Sequence, residues 1–354
     1  MKNKLYTTNI STEQDLGRAA NTKPSLAQIS VLYSLAVILL LYVGFRAQRY
    51  SVYSGLLITE FGLILIPSLA LLFIYRYDVK STLRLYKTRP LNLLLVFGIM
   101  LFALPIVGVL NLINLLVIDS IFGRVILPDI PAAGNSTELI RNILIIAGSA
   151  AICEEVMFRG IIQRGMERFG AVKAILISAF LFGLIHLDFQ RFLGTFLLGA
   201  LIGFIVYRSN SLYSGMFAHF CNNSFAVLGG YMGTKLNELF KSPGMDKAGG
   251  NIDDLFASFA NMPQEQLIML IITWSFIVLV CVSIISGLMI GFIRITSEKV
   301  QRVQKENIAI KKTGLFWLAP GLIFVFIMYI AEGLRLRNSA SPLAETIMRI
   351  MGLR

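Results

Sequence analysis

Nine stretches of this chain are apolar over about the length of a bilayer crossing: 29–45, 54–75, 91–118, 139–162, 171–187, 192–207, 212–231, 266–293 and 315–333. A crossing helix needs roughly 17–25 residues, so the fifth and sixth stretches are at the short end. The third is long, and Pro105 marks the place where it would bend. The fold class expected is all-α, a polytopic membrane helix bundle of about eight or nine transmembrane helices. The lower count applies if 315–333, interrupted by Pro320 and Gly321, is re-entrant or peripheral. The expected division is a polar cytoplasmic tail at 1–28, the bundle at 29–333 with its motif-bearing core at 139–231, and a basic tail at 334–354.

Composition agrees: 56% of residues are hydrophobic and 15% charged, with a mean hydropathy of +0.73. The net charge of +12 would suit nucleic acid, but the basic residues form no single stripe. They cluster in short segments between apolar runs, so the partner expected is the lipid bilayer and no nucleic acid. Most of the 32 Lys and Arg fall on the side of the N-terminal tail, the 76–90 connection and 294–312, which predicts a cytoplasmic N-terminus. Arg335, Arg337, Arg349 and Arg354 argue against a ninth full crossing, because they would lie on the other side. No removable signal peptide is expected, since the first ~25 residues lack an apolar core. The location expected is a bacterial plasma membrane. Cys153, Cys221 and Cys281 lie in apolar runs and read as packing residues.

Against this background the ionisable residues inside the runs stand out. Both histidines of the chain, His186 and His219, lie within apolar runs, and a third run carries Glu154, Glu155 and Arg159. Each such group costs roughly 2.5–3.5 kcal/mol on insertion scales, so chance retention of five is a poor explanation. Adjacent helical residues diverge by about 100°, so Glu154 and Glu155 cannot aim at one spot. Glu155 and Arg159 are four apart and can pair on one face, leaving Glu154 freer to face a cavity. Phe182 and His186 are also four apart, as are His219 and Asn223 on another run. Low dielectric favours the neutral form of a carboxyl group, the condition under which a glutamate serves as a general base near neutral pH.

Glutamate with histidine can take a proton from water and return it to a leaving amine, and His or Asn can donate to a developing oxyanion. Glu154, His186 and His219 could instead hold a zinc ion with one open position. The His-Glu-x-x-His arrangement of soluble zinc proteases is absent. By helix rise, Glu154 and His219 fall about 8–10 Å from the cytoplasmic end of their runs, so access from the cytoplasm is expected.

At these residues the chain resembles the CPBP family, the CAAX proteases and bacteriocin-processing enzymes also called Abi. The motifs stand in order as Glu154-Glu155-Val-Met-Phe-Arg159, Phe182-Gly-Leu-Ile-His186 and His219-Phe-Cys-Asn-Asn223. The resemblance covers about 139–231. It implies an intramembrane endopeptidase in which Glu154 and His186 activate water and His219 and Asn223 line the oxyanion site. Glu155 and Arg159 would support the first motif. It further implies a peptide or protein substrate, lipidated or leader-bearing, and no required metal, with zinc as the alternative.

Rival readings are a proton- or cation-coupled transporter and a non-catalytic regulator or bacteriocin immunity protein on the same fold. No internal repeat of the kind transporters show is visible. Gly199 with Gly203, and Gly287 with Gly291, are spaced for close helix approach. Glu60 in the second run reads as a bundle or interface residue with no role. The sequons at Asn9 and Asn135 read as chance, and 251–260 as a short surface helix.

Overall fold

The computed structural model describes residues 23–126, 133–240, 259, 261–300, 312–338 and 341–351. The helix expected over 251–260 and the Asn9 sequon lie outside the described residues, apart from Phe259. Among the described residues there is no strand. Among the described residues, besides the single turn Val79–Thr82, the chain forms a bundle of ten helices: α1 Leu26–Tyr50, α2 Val52–Ile74, α3 Pro90–Phe122, α4 136–166, α5 Ala171–Ile185, α6 Phe189–Ser209, α7 Leu212–Phe240, α8 Gln264–Ile295, α9 Lys312–Arg337 and α10 Pro342–Ile350. Every apolar run therefore becomes a helix, and α3 runs unbroken through Pro105.

Six of them, α1, α2, α3, α6, α8 and α9, are long and apolar enough to cross a membrane. The helices α4 and α7 have the length too, but carry the Glu, Arg, His and Asn side chains that lower their apolarity. Pro320 does not interrupt α9: it occupies the first turn of its α-helical part, where a missing N–H costs nothing.

The helix ends are written locally. Ser25 and Gln28 form a reciprocal cap, Ser25 Oγ accepting from Gln28 N at 3.3 Å and Ser25 N donating to Gln28 Oε1 at 2.7 Å. Asn135 Oδ1 accepts from Glu138 N at 3.0 Å and so starts α4. Gly123 ends α3 at φ 82°, a left-handed conformation that suits glycine.

Two large apolar cores hold the bundle, with a small third cluster of Leu115, Ile118, Val125 and Leu336. One joins α1, α2, α4, α5 and α9 around Tyr33, Phe158 and Phe182; the other joins α3, α6, α7 and α8 around Ile99, Ile205 and Phe292. The outward sides of α2, α3 and α8 expose large apolar residues such as Ile66, Leu94 and Phe276, a surface suited to lipid. The two glycine pairs differ in use. A Cβ on Gly199 would stand 3.1 Å from Ala179 Cα, so this glycine lets α5 and α6 touch. Gly287 meets nothing within 4 Å, which corrects the expectation of close packing there.

Hydrogen bonds sort the helix ends into two faces. On the face holding the start of α1, Arg168 Nη2 donates to Pro24 O at 2.8 Å and Leu212 N to Arg84 O at 3.0 Å. The opposite face is tied by Arg124 Nε to Leu336 O at 2.8 Å and Ile126 N to Gln190 Oε1 at 3.0 Å.

Candidate active site

The centre of α4 is irregular: widened π turns at Ile143–Gly148 and Val156–Gln163 flank the segment Ser149–Glu155 that carries both glutamates. Such turns shift the register of side chains and recur at functional sites. Glu155 and Arg159 form the expected ion pair, Nη1 to Oε1 at 2.7 Å, with the two side chains 0% and 1% exposed. Arg159 Nη2 donates to Gly199 O at 3.3 Å, and Gln163 Nε2 donates to Gly203 O at 3.1 Å. The glycines on α6 thus do more than allow close packing. Without side chains, they leave backbone carbonyls open to α4.

Phe182 is the hub of the cluster. Its ring lies 4.4 Å below the Arg159 guanidinium, packs edge-on against His186 at 4.9 Å and meets His219 at 5.8 Å. The spacing Phe182 to His186 is therefore a packing device. His186 Nδ1 lies 2.7 Å from Phe182 O. A carbonyl only accepts, so Nδ1 carries the hydrogen and the neutral ring keeps its lone pair at Nε2.

His219 is 2% exposed and stands against both glutamates. Its Nδ1 is 2.9 Å from Glu155 Oε1, and its Nε2 is 3.8 Å from Glu154 Oε2. Gly215, one turn earlier on α7, makes room for Glu155: a Cβ there would lie 2.9 Å from its Oε2. Asn223 is half-buried and its Oδ1 accepts from Asn222 Nδ2 at 3.1 Å.

A cavity of ≈ 540 Å³ reaches this cluster. Glu154 and His186 are both in its wall, together with Glu60, Asp188 and Glu332; His219, Asn223, Glu155 and Arg159 are not. The structure thus brings five of the six sequence-derived residues into one connected cluster, two of them at the cavity, and leaves Asn223 one turn beyond His219. The zinc set named from sequence does not fit: among the described residues no group of three or more His, Cys, Asp or Glu side chains is placed to hold a metal ion.

Three acidic residues of the wall were missed or given no role. Glu60 on α2 is 6% exposed, and its carboxyl group lies within hydrogen-bonding reach of that of Glu154. Glu332 on α9 accepts from Phe189 N at 2.9 Å and Gln190 Nε2 at 3.0 Å, and lies beside Asp188. A lone acid in an apolar run was the signal for both glutamates, but nothing local says which helix each faces.

The side of access also differs from expectation. Gln48, Leu56, Arg191, Arg335 and Met348 in the wall all belong to the face opposite the start of α1. Distance along a helix does not say which end is plugged. The near end is closed by Arg84 and Arg164 on Glu167, at 2.7 and 2.6 Å, all nine-tenths buried or more. Burial lowers the pKa of Arg84, opposed by the Glu167 carboxylate beside it.

Compared with known families, residues 136–225 match the model of the type II CAAX prenyl endopeptidase Rce1-like family, a stretch running from the start of α4 to just past Asn223. No curated protein and no solved structure matches the chain.

Proposed function

We propose that this chain, which carries an Rce1-like domain over residues 136–225, is an intramembrane endopeptidase of the CAAX type. One observation carries the reading: α4 and α5 present Glu154 and His186 to the same cavity wall inside an apolar bundle. A water there would give a proton to the Glu154 carboxylate and hydrogen-bond to the free Nε2 of His186. Its oxygen attacks the peptide carbonyl carbon, the proton passes to the leaving amine nitrogen, and the C–N bond breaks. His219 and Asn223 are proposed as oxyanion donors, a contribution of about 3 kcal/mol. For that role the substrate carbonyl must reach past Glu154 toward α7. Glu155 and Arg159 hold His219 and the α4–α6 contact in place.

The substrate proposed is a peptide segment of a membrane-associated protein, lipidated or leader-bearing. The wall residues Leu40, Phe45, Ile64, Leu187 and Met328 suit apolar side chains or a lipid chain. With the N-terminal face cytoplasmic, as its Lys and Arg predict, the cavity would take peptides from the opposite face of a bacterial plasma membrane. The reading requires no metal.

Comparative peptidomics of cells carrying wild-type or Glu154→Gln protein tests it, with a chelator arm. Fragments present with wild type and missing with Glu154→Gln are expected, unchanged by chelation. Identical peptidomes overturn the endopeptidase; loss on chelation moves the mechanism to zinc.

A further inference from the structure

Glu60 reaches the site from outside the 136–225 domain, across the α2–α4 contact. It is 6% exposed, it lines the cavity, and its carboxyl group is within hydrogen-bonding reach of Glu154. Oε2 of Glu60 and Oε2 of Glu154 are both buried, and neither has a protein hydrogen-bond donor among the described residues. Two ionised carboxylates this close inside a low-dielectric wall repel strongly, so such a pair holds one proton between them. Arg159 pairs with Glu155 at 2.7 Å and also acts electrostatically on Glu154, which favours the negative charge there. Glu60 is the more deeply buried of the two, 6% exposed against 13% for the Glu154 side chain, so the negative charge rests on Glu154 at the cavity and the proton on Glu60.

We propose that Glu60 is a positioning residue of this site: as the neutral acid it donates a hydrogen bond to the Glu154 carboxylate and fixes which oxygen faces the water. The inference rests on the endopeptidase reading for its kinetic consequence, but the proton-bearing pair stands apart from it. Glu60 and Glu154 form a dyad in which one carboxyl group orients and the other accepts. No bond of the substrate is made or broken at Glu60.

The test uses the full-length protein in lipid nanodiscs with Glu60→Gln, Glu60→Leu and Glu154→Gln. Infrared difference spectra against wild type read the C=O stretch of a protonated carboxyl group. That band is expected in wild type and lost in Glu60→Gln; an unchanged band overturns the proposal whatever the activity. Kinetics use two quenched fluorescent peptide libraries, one farnesylated at a C-terminal CAAX cysteine and one unmodified. Gln keeps a neutral donor at the same reach, so Glu60→Gln should stay within about threefold of wild type, while Glu60→Leu should lose kcat on the order of 10²-fold with KM nearly unchanged. Wild-type kcat in Glu60→Leu overturns the positioning role. If wild type cleaves neither library while the infrared band behaves as expected, the endopeptidase reading fails and the pair stands.

Discussion

His219 Nδ1 donates to Glu155 Oε1 at 2.9 Å, the same oxygen that receives Arg159 Nη1 at 2.7 Å. One buried carboxylate oxygen thereby ties α7 to α4. The two adjacent glutamates consequently have different duties, Glu155 inside the protein and Glu154 at the cavity.

The first prediction separates those duties. Glu154→Gln should abolish cleavage, a loss on the order of 10²–10⁴-fold, with the thermal midpoint in detergent unchanged. Glu155→Ala leaves Arg159 buried and unpaired, which costs roughly 3–5 kcal/mol. A lowered unfolding midpoint for Glu155→Ala, beside an unshifted Glu154→Gln, is the expected pair of melting curves.

Phe182 touches the Arg159 guanidinium and both imidazoles. Phe182→Ala should cost about 3–5 kcal/mol through the cavity left behind. Phe182→Leu keeps most of the volume and should fold, yet lose activity because neither ring is held edge-on. Chemical denaturation and peptide cleavage measured on both variants check this.

Glycine substitutions give an internal contrast. Gly199→Ala places a Cβ 3.1 Å from the Ala179 backbone and pushes away the carbonyl that receives Arg159, at a cost of about 1–3 kcal/mol. Gly287→Ala meets open space and should be neutral or slightly stabilising. Side-by-side thermal unfolding distinguishes the two.

Access to the cavity is testable without a substrate. A membrane-impermeant thiol reagent on intact cells should label Arg335→Cys from outside, because Arg335 is exposed at the cavity mouth on the face opposite α1's start. The three native cysteines are buried and should stay silent. Labelling of Lys80→Cys instead would invert the orientation.

Helical periodicity is local, and what depends on it was readable in advance. The apolar runs became helices, Glu155 paired with Arg159, and Phe182 packed on His186, because residues four apart share a helix face whatever surrounds them. Rotation and depth of one helix against another are not local. They follow from packing, as where Gly199 lets α5 and α6 touch and Gly215 admits Glu155 beneath α7. Only the tertiary structure therefore decided that Glu60 meets Glu154, that His219 binds Glu155, that Asn223 stays off the cavity wall, and which end of the bundle is open.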